Sequence, residues 1–242
     1  MHKIEILPEI PARWAMGSGR KSIFGDIDPQ KTAHIVVDMQ NGFLEPGATI
    51  EIPTAREIVP NVNRISRMIR EVGGINIFLR FTVDQESLVN WSTLYRRLYD
   101  EAMTAKMIKT FSRGCHGHEI HPDIEVGEGE LTLDKTRFGA FVPGTSKLPN
   151  VLQEKGIDTL IITGTATNGC CESTAREAMQ LNYKVIFVAN ANAAITDTEH
   201  NSALNSLSTV FTEVITCDQL IQRLSTLKNA IRSALDNASG GI

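Results

Sequence analysis

The sequence predicts an α/β protein, a doubly wound six-stranded parallel sheet flanked by helices. Three observations predict it. Short, continuous apolar runs recur along the chain, the pattern of strands buried on both faces. Amphipathic helical stretches lie between them. The alternation runs from near residue 33 to 216 without a composition break, an internal repeat or a low-complexity segment. Strands alternating with helices build parallel sheets.

Residues 1–30 are mixed and carry Pro8, Pro11, Gly17, Gly19, Gly25 and Pro29. They read as an N-terminal arm packed on the body or on a neighbouring subunit. AHIVVDM (33–39) is the first strand. Over 56–72, Ile58, Val62, Ile65, Met68, Ile69 and Val72 form one helical stripe, and Gly73-Gly74 stops it. Pro60 falls in the first turns of that helix, where proline is tolerated. INIFLRF (75–81) is the second strand, LVNWSTLYRRLYDEAM (88–103) a helix and ELTLDK (130–135) the third strand. VLQEKG (151–156) reads as helix, DTLIITG (158–164) as strand and CESTAREAMQLN (171–182) as helix. KVIFVAN (184–190) and TVFTEVIT (209–216) are the last strands, HNSALNSLS (200–208) and CDQLIQRLSTLKNAI (217–231) the last helices. Residues 31–232 are expected to form one domain, and 233–242 a flexible tail.

Composition narrows the function. The chain has 242 residues, 42% hydrophobic and 21% charged, as in an ordinary globular protein. A net charge of −4 supplies no basic excess for nucleic-acid phosphates. No stretch approaches the ~20 apolar residues that span a membrane. MHKIEILPEIPARW lacks the apolar core of a secretory signal. The four cysteines, 115, 170, 171 and 217, are therefore expected as reduced thiols of a cytoplasmic protein.

In an open parallel sheet, ligands bind beyond the carboxyl ends of the strands. Strand one ends in Asp38, strand three in Asp134-Lys135, and strand four in ITGTATNGC, which leads to Cys170. A carboxylate, an ammonium and a thiol thus leave the sheet on one edge. Each alone has a bland reading: a turn former, a solvated charge and a small hydrophobe. Their convergence points to chemistry. With a helix starting at an Asn168 cap, Cys171, Ala175 and Ala178 share the apolar face, with Met179 beside it. Cys171 is then buried. Cys170, turned by roughly 100°, faces the rim with Thr174 and Glu177. In the first helical turn, and near Lys135, its thiolate would be favoured.

IVVDMQNGF (35–43), LDKTRFGAF (133–141) and ITGTATNGCCESTAREA (162–178) resemble, in order and spacing, the cysteine hydrolases of the isochorismatase-like superfamily. The resemblance runs over about residues 31–225. It implies a Rossmann-like six-stranded parallel sheet and an Asp38–Lys135–Cys170 triad. It implies a cis peptide at Thr165–Ala166, with the Ala166 and Cys170 N–H groups holding the substrate oxyanion. It also implies a small-molecule amide, carbamoyl or ureido substrate and a homo-oligomer, a dimer or tetramer. Isochorismatases proper lack the cysteine nucleophile. The metal-binding Asp-x-His element of nicotinamidases is absent too, since LRFTVDQESLVNW has Asp84 and no histidine. No metal and no cofactor are expected.

Phe43, Trp91, Phe138 and Phe141 are candidate pocket walls, with core or subunit interface as the bland alternative. Asn90 and Arg137 are candidates for polar or anionic substituents. Cys115, His116, His118 and His121 are metal-ligand types in CHGHEIH, read as a surface loop. Their spacing matches no zinc motif. Two rivals stand beside the hydrolase: a thiol sensor pairing Cys170 with Cys171 or Cys217, and a non-catalytic binding member of the superfamily.

Overall fold

The computed structural model describes residues 1–10, 22–25 and 27–239, without the side chains of 230–232 and 234–239. Pro11, Gly17 and Gly19 of the expected arm, and 240–242 of the expected tail, lie outside the described residues. Six strands form one sheet: β1 (Thr32–Val37), β2 (Ile75–Phe81), β3 (Leu131–Lys135), β4 (Thr159–Thr165), β5 (Lys184–Ala193) and β6 (Glu213–Ile215). Their order is β3-β2-β1-β4-β5-β6, and every pairing is parallel. The order reverses between β1 and β4, the kind of point at which open parallel sheets bind ligands beyond their carboxyl ends.

Alternation along the strands feeds two cores. Val36, Phe78, Ile161 and Ile186 face the layer of α2 (Pro53–Val72) and α8 (Cys217–Ser239). Ile35, Val37, Leu79 and Ile162 face the layer of α5 (Leu148–Glu154), α6 (Glu172–Gln180) and α7 (Asp197–Val210). Each such aliphatic side chain, fully buried, contributes about 1.5–3 kcal/mol. Helix α2 buries Ile58, Val62, Ile65, Ile69 and Val72, and Gly73 ends it at φ 85. No helix among the described residues is long and apolar enough to cross a membrane.

The structure corrects several boundaries. The helix expected over 88–103 is broken. Asp84 and Ser87 form a capping box for α3 (Gln85–Asn90). A wide turn, Leu94–Leu98, follows. Asp100 then accepts from Met103 N and starts α4 (Glu101–Phe111). A short acidic side chain serves a helix better as cap than inside it. Helix α7 runs through Val210, so β6 begins later than 209. Helix α8 continues to Ser239, into the expected tail.

Candidate active site

Asp38 follows β1 at φ 51, a left-handed conformation that aspartate tolerates better than most residues. Its N–H donates to Leu79 O at 3.0 Å. The turn after it, with α1 (Asn41–Leu44), is locked by Gln40. The Gln40 amide donates to Phe81 O and His118 O, and accepts from Phe81 N. Asn41 donates to His116 O. Residues 116–118 therefore brace the Asp38 turn with their carbonyls. Their side chains diverge. His116 reaches Glu45 at 2.8 Å, and buried His118 reaches Thr82 Oγ1 at 2.8 Å. The His121 ring accepts from Asp123 N. The surface-loop reading fails for His118, which lies inside the protein.

Lys135 ends β3, directly beside Phe81 of β2. Its ammonium crosses β2 over the Phe81 ring, 5.3 Å from the centroid, and lies 2.8 Å from Asp38 Oδ2. Neither side chain is exposed. Lys135 also donates to Arg137 O at 3.1 Å. Both Asp38 oxygens are buried, and neither takes a well-aligned hydrogen bond, so the ion pair is one of distance more than direction.

Cys170 arrives from β4. Gly164, at φ 119, lets β4 touch β1, and any Cβ there would overlap the Val37 carbonyl. The Thr165–Ala166 peptide is cis. A five-residue π turn, Thr167–Cys171, follows. Its mark is the bond from Cys171 N to Ala166 O, 3.2 Å long and five residues apart. This turn changes three expectations. Ala166, not Asn168, occupies the cap position, and Asn168 is exposed. The α-helical 100° step does not apply across the turn, so Cys170 is only 6% exposed and Thr174 is buried. Cys171, Ala175 and Ala178 are buried as expected, whereas Met179 is exposed.

Electrostatics bind the three groups together. Burial raises the Asp38 carboxyl, against the pull of Lys135 and Cys170. For Lys135, burial works downward but is outweighed by Asp38 and Cys170, so its ammonium is held above the ordinary lysine range. Burial pushes the Cys170 thiol up, and Asp38 adds to this while Lys135 opposes it. Burial and Asp38 thus work against the thiolate that the sequence favours at Cys170, and Lys135 works for it.

The aromatic candidates divide. Trp91 stands edge-on to Phe138 at 4.8 Å, and the Arg137 guanidinium lies 5.1 Å over Trp91. Phe138 in turn meets Phe81 at 6.2 Å. These residues make a shelf leading away from Lys135. Phe43 belongs to the core, against Phe111 at 4.8 Å, and Phe141 packs on Tyr183. Asn90 is exposed and donates to Glu86. It lines, with Arg137, Arg80, Asp134 and Lys147, a cavity of about 790 Å³ beside β3 that excludes the Asp38–Lys135–Cys170 group.

Sequence reasoning missed Tyr99 and gave Glu177 no role. Burial raises the Tyr99 hydroxyl, and nearby Cys170 adds to it. Glu177 accepts from Phe141 N at 2.9 Å, which ties the nucleophile helix to the loop after Lys135. The four cysteines are free. Cys217 packs in the α2–α8 layer, across the sheet from Cys170 and Cys171.

Residues 32–219 match the isochorismatase domain. The uncharacterized isochorismatase family protein YwoC of Bacillus subtilis (strain 168) is 32% identical over 186 residues, 74% of this chain and 86% of that protein. Ureidoacrylate amidohydrolase RutB of Caulobacter vibrioides is 30% identical over 198 residues, 76% of this chain and 87% of that protein. The crystal structure of a cysteine hydrolase from Pseudomonas syringae pv. phaseolicola 1448A has a TM-score of 0.76 and 26% sequence identity, covering 87% of this chain and 100% of that one. With a domain match that spans most of its length, and the same fold in that hydrolase, the chain belongs to the isochorismatase family.

Proposed function

We propose that the protein is a cysteine-dependent amidohydrolase that cleaves a C–N bond of a small amide, carbamoyl or ureido substrate. One observation carries the reading: Asp38 and Lys135 form a fully buried pair, with Cys170 in electrostatic contact with both. A buried pair is weak evidence for stability, because desolvation offsets most of the attraction. Chemistry is the better reason for burying these charges beside a thiol. The similarity to RutB, a ureidoacrylate amidohydrolase, supports the substrate class.

In this mechanism Asp38 takes the Cys170 proton as sulfur attacks the substrate carbonyl carbon. The Ala166 and Cys170 N–H groups receive the oxyanion, an interaction worth about 3–4 kcal/mol per donor. The C–N bond breaks, and the proton on Asp38 passes to the leaving nitrogen. Asp38 then deprotonates water, which attacks the acyl or carbamoyl carbon; the C–S bond breaks, and the proton returns to the Cys170 sulfur. Throughout, Lys135 keeps the site's charge balanced. The Trp91–Phe138 shelf with Arg137 offers a place for the rest of the substrate. The same reading carries a cytoplasmic homo-oligomer that needs no metal or cofactor.

The thiol-sensor reading is weaker. A sensor needs an exposed thiol of low pKa, whereas Cys170 is buried and its thiol is pushed up. A panel of amides, carbamoyl compounds and ureido acids, assayed for ammonia, tests the proposal. Cys170→Ala is expected to abolish turnover, and Cys171→Ala to keep most of it. The reverse pattern would overturn the assignment, and a panel without turnover would favour the binding-member reading.

A further inference from the structure

Residues 2–7 lie ahead of the matched domain and pack along α7. Two asparagines one helical turn apart hold them by the main chain. Asn201 accepts from Glu5 N at 2.7 Å and donates to Lys3 O at 2.8 Å. Asn205 accepts from Leu7 N at 2.8 Å and donates to Glu5 O at 3.0 Å. This ladder delivers His2 into the interior, where its side chain is only 2% exposed.

The His2 ring is fixed from both nitrogens. Ala194 N donates to Nε2 at 3.0 Å, so Nδ1 carries the proton shared with Asp197 Oδ1 at 2.7 Å. One ring face lies on His200, with centroids 4.2 Å apart and planes 15° apart. His200 is buried, and its Nδ1 lies 2.8 Å from Thr167 Oγ1, also buried. Burial pushes the His200 imidazole down, to about 4, which keeps it neutral against that ring.

Thr167 opens the π turn that carries Cys170. A π turn is intrinsically less favourable than an α turn, so its shape depends on outside contacts. Residues 2–7 reach it through two rings and one hydroxyl.

We infer that residues 2–7 are a positioning element of the nucleophile turn, in which His2 holds His200, and His200 holds the Thr167 hydroxyl and with it the aim of Cys170. For its activity readout this inference rests on the hydrolase reading. It adds a positioning role outside the domain common to the family.

A double-mutant cycle between His2 and Thr167 tests it, because residues acting through one chain of contacts give non-additive effects. The expected result is that His2→Ala, the pair Asn201→Ala with Asn205→Ala, and Thr167→Val each lower kcat by about tenfold, with KM within about twofold. Adding His2→Ala to Thr167→Val should cost nothing more. His2→Phe, which keeps a stacked ring, should recover part of the loss.

The second readout does not need turnover. The rate at which iodoacetamide labels Cys170, followed by mass spectrometry of its peptide, should shift in His2→Ala and Thr167→Val, again without additivity. Cys217 labelling serves as the internal control and should stay unchanged. If His2→Ala lowers Tm while kcat and Cys170 labelling stay at wild-type values, the segment is structural only and the inference fails. Additive effects of His2→Ala and Thr167→Val overturn it as well. If no amide is turned over by the wild type, the hydrolase reading fails, and the labelling cycle alone decides the inference.

Discussion

The Glu177 carboxylate occupies the space above Gly139 in which any other residue would place its Cβ. The same carboxylate accepts from Phe141 N, so the helix after Cys170 and the loop after Lys135 are pinned at one point. A side chain at 139 can therefore be accommodated only if the Glu177 carboxylate moves. Gly139→Ala is expected to displace Glu177, cost about 1–3 kcal/mol of stability through overpacking, and lower kcat/KM. Glu177→Ala leaves the Phe141 N–H unpaired at a similar cost of about 1–3 kcal/mol, whereas Glu177→Gln keeps an acceptor and loses less. Thermal unfolding and steady-state kinetics on the three variants check the ranking.

The Asp38–Lys135 pair separates stability from activity. Lys135→Ala strands a buried carboxylate and is expected to cost on the order of 3–5 kcal/mol. Asp38→Asn combined with Lys135→Met removes both charges and should recover most of that loss. Both variants should be inactive. Urea denaturation beside the ammonia assay would show whether the ions serve the fold or the reaction.

Thiol labelling should run opposite to catalysis. Asp38 adds to the upward push on the Cys170 thiol. Removing its charge while Lys135 remains lets the thiol ionise more readily. Asp38→Asn should therefore speed iodoacetamide labelling of Cys170 at pH 7 while abolishing hydrolysis. Slower labelling would show that Asp38 acts on the thiol more as its base than as an opposing charge.

Acid should unfold the protein through its buried histidines. Burial lowers both His34 and His200 from 6.5 to about 4. Each is uncharged in the fold, where His34 lies between Asn76 Oδ1 and Thr163 Oγ1. The unfolded chain binds protons at these residues first as pH falls. Their contribution is thus complete above about 6.5 and lost progressively as pH falls toward 4, by up to about 1.4 kcal/mol per pH unit for each. His34→Gln should flatten that slope by one proton's share, read as the urea midpoint against pH.

Much of the sheet was legible because buried parallel strands carry local signatures. The run ending at Asp38 needed only its apolar continuity, and ELTLDK, ending at Lys135, showed the alternation of an edge strand. Cys171 was legible as well, since its stripe with Ala175 and Ala178 survives. Cys170 was misjudged because a π turn breaks the angular step on which the reading relied. The aim of that turn is set by His200, 33 residues from Thr167, and the Lys135 loop is set by Glu177, 36 residues from Phe141. Such pairings exist only once α6 and α7 have docked. The break before α4 was different: Asp84 with Ser87, and Asp100, were helix-start signals in plain sequence, outweighed by the apolar pattern around them.

Lys135 comes from the edge strand β3 and Asp38 from β1, with β2 between them. Two strand spacings, roughly 9–10 Å, must be bridged by one lysine stem and one short acid. The pair is therefore a ruler for the sheet. It closes only when β2 is seated on β1 and β3 is seated on β2. During refolding, catalytic activity should return no earlier than the seating of β3 on β2. Recovery of turnover would then time the assembly of the β3-β2-β1 half of the sheet.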